Sequence, residues 1–167
     1  RQITLGGSHP AFANSLNNLA SHYRDMGRYD EGESLYKQSL EIRRVALGKQ
    51  HPAFASSLNN LGSLYRDMGR DDEALPLFKQ SLEIRRVAHG EQHPEFAVSL
   101  NNLALLYSDM GRHAEAEILC KQSMEIWRVA LGEQHPDFAT SLNNLAALYR
   151  AMGRHDEAAE LGSKADS

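Results

Sequence analysis

The sequence has few of the residues that usually carry redox or membrane chemistry. Its single cysteine, Cys120, excludes an internal disulfide and a multi-cysteine metal site. It has no apolar run near the ~20 residues that a membrane-spanning helix needs, and no charged-then-apolar leader. Basic residues number 18 against 22 acidic residues, and this net charge of −4 argues against nucleic acid or an anionic membrane as a partner. We therefore expect a globular, cytoplasmic protein.

The dominant feature of the sequence is a 42-residue repeat. The pattern His-Pro-x-Phe begins at His9, His51, His93 and His135, and LNNL, a tyrosine and Met-Gly follow each time at fixed distances. Self-similarity at a period of roughly 20–50 residues is typical of repeat proteins. We interpret residues 1–167 as a single repeat domain. It contains the end of a preceding copy (1–8), three full copies (9–50, 51–92 and 93–134) and a truncated copy (135–167), which implies a longer parent protein.

Each copy is predicted to form two helices. In the first, Pro10 suits the first helical position and Gly27 suits the left-handed conformation that ends a helix. Apolar residues at helical spacing give this helix an inward face of Phe12, Leu16, Leu19 and Tyr23. The second helix begins with acidic residues and ends at Gly48. Its predicted inward face consists of Leu35, Tyr36, Ser39, Leu40, Ile42 and Ala46.

The predicted fold is all-α, because no segment alternates like a strand and the short connections require antiparallel neighbours. One helix pair cannot bury both of its apolar faces, so several pairs must stack and share a core. Small residues are expected where the helices approach one another. They are Ala20, Gly62, Ala104 and Ala146 in the first helices, and Gly32, Ala74, Ala116 and Ala158 in the second helices.

These small residues, the tyrosine three positions after the first of them, and the glycine that ends the first helix resemble the tetratricopeptide repeat. The pattern LG-x-x-HP-x-x-A-x-x-LNNLA-x-x-Y, followed by EA-x-x-L-x-x-x-x-x-EI-R, is similar to the 42-residue repeats of kinesin light chains. The resemblance implies a right-handed α-solenoid of antiparallel helix pairs. It also implies a concave groove, lined by the first helices, that holds a peptide or protein partner. The usual 34-residue repeat closes with a proline, where this chain has Arg44, Arg86 and Arg128.

A helical wheel gives candidate groove positions independently, since positions 14, 17, 18, 21, 24 and 25 point away from the predicted core. The candidate residues are Asn17, Asn18, Arg24, Asn59, Asn60, Ser63, Arg66, Asn101, Asn102, Asn143, Asn144 and Arg150. Asparagine supplies both the donors and the acceptors that an extended peptide backbone needs. The second asparagine of each LNNL matches, by the resemblance, the groove asparagine of peptide-binding relatives.

Structural roles for the same residues stay open. The asparagines can instead hydrogen-bond to the adjacent helix and fix the angle between copies. The arginines can bind acidic ligand side chains, or belong to a solvated face with Asp25, Asp67 and Asp109. Variation at positions 14 and 21 is compatible with a graded groove and with neutral drift.

Two further positions have alternative interpretations. Trp127 stands where Arg43 and Arg85 stand, and it fits either a seam between helices or a partner anchor. The doublets beginning at Arg43 and Arg85 follow Glu41 and Glu83, which predicts surface ion pairs.

No constellation of residues indicates catalysis. The four recurring histidines lie one copy apart, too far for a shared ion, and each precedes a helix-starting proline, which favours a capping role. Cys120 replaces Tyr36 and Phe78 on an inward face, which predicts a buried, unreactive thiol. We predict a non-catalytic scaffold without metal or cofactor that binds an unidentified peptide or protein partner. The alternative is a self-association module whose copies stack head to tail.

Overall fold

The computed structural model describes residues 9–166, which form eight α-helices and no strand. The helices are α1 (Pro10–Asp25), α2 (Tyr29–Leu47), α3 (Pro52–Asp67), α4 (Asp71–His89), α5 (Pro94–Asp109), α6 (His113–Leu131), α7 (Pro136–Ala151) and α8 (His155–Ala165). We number the helix pairs in chain order, from pair 1 (α1 and α2) to pair 4 (α7 and α8). The predicted end of a preceding copy, residues 1–8, lies outside the described residues.

The helices form two compact units, divided between Ala88 and His89. In the first unit α1 packs against α2, and α3 contacts both of them. In the second unit α5 packs against α6, and α7 contacts α5, α6 and α8. The predicted all-α fold of antiparallel helix pairs is therefore confirmed.

Each first helix begins at a histidine cap and ends at a left-handed glycine, as predicted. The imidazole Nδ1 of His51 accepts a hydrogen bond from the Ala53 backbone N–H at 3.1 Å, and Pro52 occupies the first helical position. At the other end Gly69 has φ +69°, and the Arg70 N–H donates to the Tyr65 carbonyl oxygen at 2.8 Å. This arrangement turns the chain into the second helix within three residues.

An arginine holds the turn between the two helices of each pair. The Arg70 guanidinium lies 4.1 Å above the Tyr65 ring, and its Nε and Nη2 donate to Glu73 at 2.7 and 2.8 Å. Equivalent stacking joins Arg28 to Tyr23, Arg112 to Tyr107 and Arg154 to Tyr149. The repeated tyrosine therefore packs both inside its pair and against the turn that follows it.

Buried serines of the second helix form hydrogen bonds with the first helix of the same pair. Ser39, Ser81 and Ser123 are fully buried, and their hydroxyls donate to the carbonyl oxygens of Ala13, Ala55 and Ala97 at 2.8–3.0 Å. The bond satisfies a hydroxyl that would otherwise be costly to bury.

Close approach explains the small residues. A Cβ atom added at Gly62 would lie only 3.0 Å from the Phe78 ring, and Ala20, Ala104, Ala116 and Ala158 are almost completely buried. Larger side chains at these positions would separate the helices.

Three expectations about side-chain exposure were wrong. Phe12 and Leu19 are 44% and 43% exposed, because no described helix precedes α1, whereas their counterparts Phe54 and Leu61 are 4% and 3% exposed. Ala46 is exposed. Arg43 and Arg85, expected in surface ion pairs, are instead 6% and 4% exposed, whereas Arg44 and Arg86 form the expected pairs with Glu41 and Glu83.

Candidate binding surface

The first helices of each unit lie side by side and share an outer surface, which we call the first-helix surface. In the first unit α1 and α3 are joined by an ion pair between Arg24 Nε and Asp67 Oδ2. In the second unit Asn144 Nδ2 of α7 donates to Asn101 Oδ1 of α5 at 2.8 Å. These bonds place residues of positions 17, 18, 24 and 25 at the junction of neighbouring first helices.

The first asparagine of the LNNL motif is buried in the first unit. Asn17 is 7% exposed and Asn59 is 4% exposed, although the wheel placed both away from the core. With its amide oxygen toward Arg43, Asn17 accepts from both terminal guanidinium nitrogens at 3.0 and 3.1 Å and donates to Ser39 Oγ at 3.1 Å. The wheel considers one helix at a time and omits the long side chain that α2 extends over this position.

The remaining asparagines are more accessible. Asn18 and Asn143 are exposed, and Asn60, Asn101, Asn102 and Asn144 are half-buried. Asn101 and Asn144 bond to each other across the two first helices, which is the helix-fixing role that the sequence left open. Their amides still reach the surface, so a role in binding a partner stays a prediction.

The arginines of the surface differ from pair to pair. Arg24 is part-buried and pairs with Asp67. Burial lowers the pKa of Arg24, but the hydrogen bond and the charge of Asp67 outweigh it, and the net shift is upward. Arg66 and Ser63 are half-buried, whereas Arg150 is exposed.

Sequence reasoning missed a charged cluster that joins consecutive pairs inside each unit. Glu33 of α2 accepts from Tyr65 OH at 3.0 Å, Arg70 Nη1 at 2.7 Å and Lys37 Nζ at 2.6 Å. Burial alone would raise the pKa of Glu33, but these three donors lower it to about 2.

Glu117 repeats the Glu33 cluster in the second unit. It accepts from Tyr149 at 2.9 Å and Arg154 at 2.8 Å, and it pairs with Lys121. The available signal was the alternation of Glu33, Leu75, Glu117 and Ala159 at one repeat position.

The surroundings of the cysteine, histidine and acidic side chains do not form a reactive or metal-binding site within residues 9–166. Burial raises the pKa of the Cys120 thiol to about 11, with a smaller contribution from the charge of Glu117, so the reactive thiolate is disfavoured. No group of three histidine, cysteine or acidic residues within residues 9–166 is placed to hold a metal ion. None of the eight helices is both long and apolar enough to cross a membrane.

Comparisons with known proteins agree with this geometry. A family model described as "Tetratricopeptide repeat" matches residues 11–86, 53–119 and 95–165. A kinesin light chain-like protein of Podosopora anserina with nearly identical TPR-like repeats is 30% identical with a TM-score of 0.82, over 94% of this chain and 74% of that chain. A single-substitution variant of that protein gives the same values.

BtubC (BKLC) of P. vanneervenii is also similar in structure. It is 25% identical with a TM-score of 0.80, and the match covers 95% of this chain and 63% of that chain. No curated protein matches the chain in sequence.

Proposed function

Because the chain belongs to the tetratricopeptide repeat family, we propose that it is a non-catalytic scaffold that holds a peptide or protein partner on its first-helix surface. The observation that carries the proposal is the position of the second LNNL asparagines. Asn18 and Asn60 reach the surface of the adjacent helices α1 and α3, where an amide can donate to and accept from an extended backbone. The family's general role in protein interaction and the kinesin light chain-like neighbours support the same function.

A displayed library of random peptides tests this function without a known partner. The unmodified protein should enrich a family of related peptides, and Asn18→Ala combined with Asn60→Ala should weaken their binding. Two hydrogen bonds of ~1 kcal/mol each correspond to a loss of roughly tenfold to thirtyfold in affinity. Circular dichroism should show unchanged helicity.

The matched control removes two amides from the opposite helices. Gln38 and Gln80 are exposed on α2 and α4, so Gln38→Ala combined with Gln80→Ala should leave peptide binding unchanged. Failure to enrich any peptide would contradict the scaffold function. Loss of helicity in the asparagine variant would make these residues structural.

Head-to-tail association of the 167-residue chain is the second candidate. Phe12 and Leu19 expose an apolar face on α1, and a cavity of about 540 Å³ that includes Phe138, Leu142 and Leu161 opens between pairs 3 and 4. Sedimentation velocity should then show concentration-dependent dimers that Leu19→Asp abolishes. A monomer at every concentration would rule out this candidate.

A further inference from the structure

Arg43 is a buried cation that is held by neutral groups. Its Nη1 donates to the Ala53 carbonyl oxygen and to Ser57 Oγ, both at 2.8 Å, and its Nη2 donates to Asn14 Oδ1 at 2.6 Å. Burial lowers the pKa of Arg43. A guanidinium in this position has no acceptor function of its own, so each buried N–H needs an acceptor from a neighbour.

Pair 2 has the same combination of a buried arginine and an acceptor side chain. Arg85 is the counterpart of Arg43, is 4% exposed, and donates from Nη2 to Ser56 Oγ at 3.1 Å. Ser56 is the counterpart of Asn14, 42 residues further along the chain. Pairs 1 and 2 thus both combine a buried guanidinium on the second helix with an acceptor side chain on the first.

Pair 3 differs from pairs 1 and 2 at both the arginine position and the acceptor position. Trp127 replaces the arginine and is 8% exposed, and Val98 replaces the acceptor. An indole ring has one N–H and a large apolar surface, so it does not require the acceptor that a guanidinium requires. The residue type at position 14, whose variation by itself resembles neutral drift, therefore changes together with the residue type at position 43.

This pairing reaches the first-helix surface. Asn14 is exposed, so while its Oδ1 binds Arg43, its NH2 group remains a donor toward solvent. Val98 and Leu105 of α5 are half-buried and offer aliphatic surface instead. Pairs 1 and 3 consequently present different chemistry at equivalent positions of their first helices.

We propose that in pairs 1 to 3 the residue at the repeat position of Arg43 determines whether the first-helix surface of that pair binds a polar or an aliphatic group of the partner. Pair 1 takes a peptide segment that presents a hydrogen-bond acceptor to Asn14, and pair 3 takes a segment that presents an aliphatic side chain to Val98. The inference rests on the scaffold function proposed above and names the chemistry of its partner.

A double-mutant cycle tests the pairing itself. Arg43→Trp and Asn14→Val, singly, should each increase the unfolding equilibrium constant. The unfolding equilibrium constant of the double variant should be at least tenfold smaller than the two single effects multiplied together predict. The reason is that the introduced valine no longer faces an unsatisfied guanidinium. Trp127→Arg and Val98→Asn form the reverse cycle in pair 3, where Val98→Asn should partly rescue Trp127→Arg.

The neighbouring arginine supplies the control cycle. Arg44 is exposed and paired with Glu41 through two hydrogen bonds of 2.6 and 2.7 Å, so Arg44→Trp and Asn14→Val should be additive. Additivity in the Arg43 cycle as well would overturn the inference, whatever happens to peptide binding.

The displayed peptide library then tests recognition. The variant carrying both Arg43→Trp and Asn14→Val should shift the enriched peptides at one position from acceptor side chains toward aliphatic ones. The combination of Arg44→Trp with Gln38→Ala should keep the original preference. An unchanged preference in a folded, coupled variant would overturn the claim about recognition. Absence of enriched peptides on the unmodified protein would instead count against the scaffold function, while the cycles still decide the pairing.

Discussion

At the residue scale, the most informative side chains are those that serve two helix pairs at once. Glu33 belongs to pair 1 but binds Tyr65 and Arg70 of pair 2, and Arg70 also stacks on Tyr65 and binds Glu73. The Glu33 carboxylate is only 15% exposed, so its three donors are better protected from water than the single i,i+3 pairs of the turns. This cluster ties consecutive pairs together through charge, whereas the buried serines tie helices through neutral bonds.

Glu33→Gln should lower the free energy of unfolding at pH 7 by ~1–2 kcal/mol, since it removes a charge held by two cations. The pKa of Glu33 is lowered from 4.5 to about 2, so the folded state favours the charged form. Its contribution is therefore present above pH 4.5 and is lost as the pH falls toward 2. Urea unfolding at several pH values should show the two proteins converging in acid.

Glu31→Gln is the comparison for Glu33→Gln. Glu31 is exposed and binds only Arg28 of its own turn, so its replacement should change stability by a few tenths of a kcal/mol. Equal effects of the two substitutions would show that the cluster contributes no more than a surface pair.

At the element scale, the first helices are bounded by local chemistry that recurs in every pair. In every copy a histidine precedes the helix, and its Nδ1 accepts a hydrogen bond from the backbone N–H two residues later at 3.1–3.2 Å. These histidines are His9, His51, His93 and His135. A positive-φ glycine follows each first helix at Gly27, Gly69, Gly111 and Gly153. Start and stop signals at the same spacing give all four first helices 16 residues.

His51→Ala should destabilise the protein by about 1 kcal/mol, because an orphan N–H of the first turn loses its acceptor. His51→Asn should retain most of the stability, since asparagine is a good cap. His22 is exposed on α1 and caps no helix, so His22→Ala serves as the control. Thermal melts that fail to separate His51→Ala from His22→Ala would contradict the capping role.

At the scale of the whole molecule, stability comes from pairs that cover one another. Phe54 and Leu58 are buried in a cluster with Ile84, and Leu40 of the preceding pair packs against it. Each buried side chain of this size contributes ~1.5–3 kcal/mol. A pair that loses its neighbour should therefore lose much of its stability.

Deletion of residues 135–167 tests this coupling within the second unit. It removes α7, which contacts α5 and α6, and so leaves part of pair 3 without a packing partner. The unfolding midpoint of the remaining chain in urea should fall by more than the lost length alone predicts. A midpoint equal to that of the intact chain would show that the pairs are stable independently.

The candidate surface was only partly predictable from the sequence. Positions 18 and 24 were correctly placed at or near the surface. Of the two interpretations that the sequence left open for Trp127, its 8% exposure favours the seam between helices. Asn17 and Arg43 were misplaced, because each is buried by a helix other than its own. The Glu33 and Glu117 clusters were not anticipated, since their partners lie 32 and 37 residues away.

The sequence by itself determined the period, the helix boundaries, the turns and the family. Those features depend on proline, glycine and apolar spacing within a few residues, and these signals recur in four copies. Only the tertiary structure decided that Arg43 bonds to Asn14 and Ser57 rather than to solvent, and that Asn101 and Asn144 meet. The physical reason is that the burial and pairing of a polar side chain depend on groups far along the chain, which local patterns do not specify.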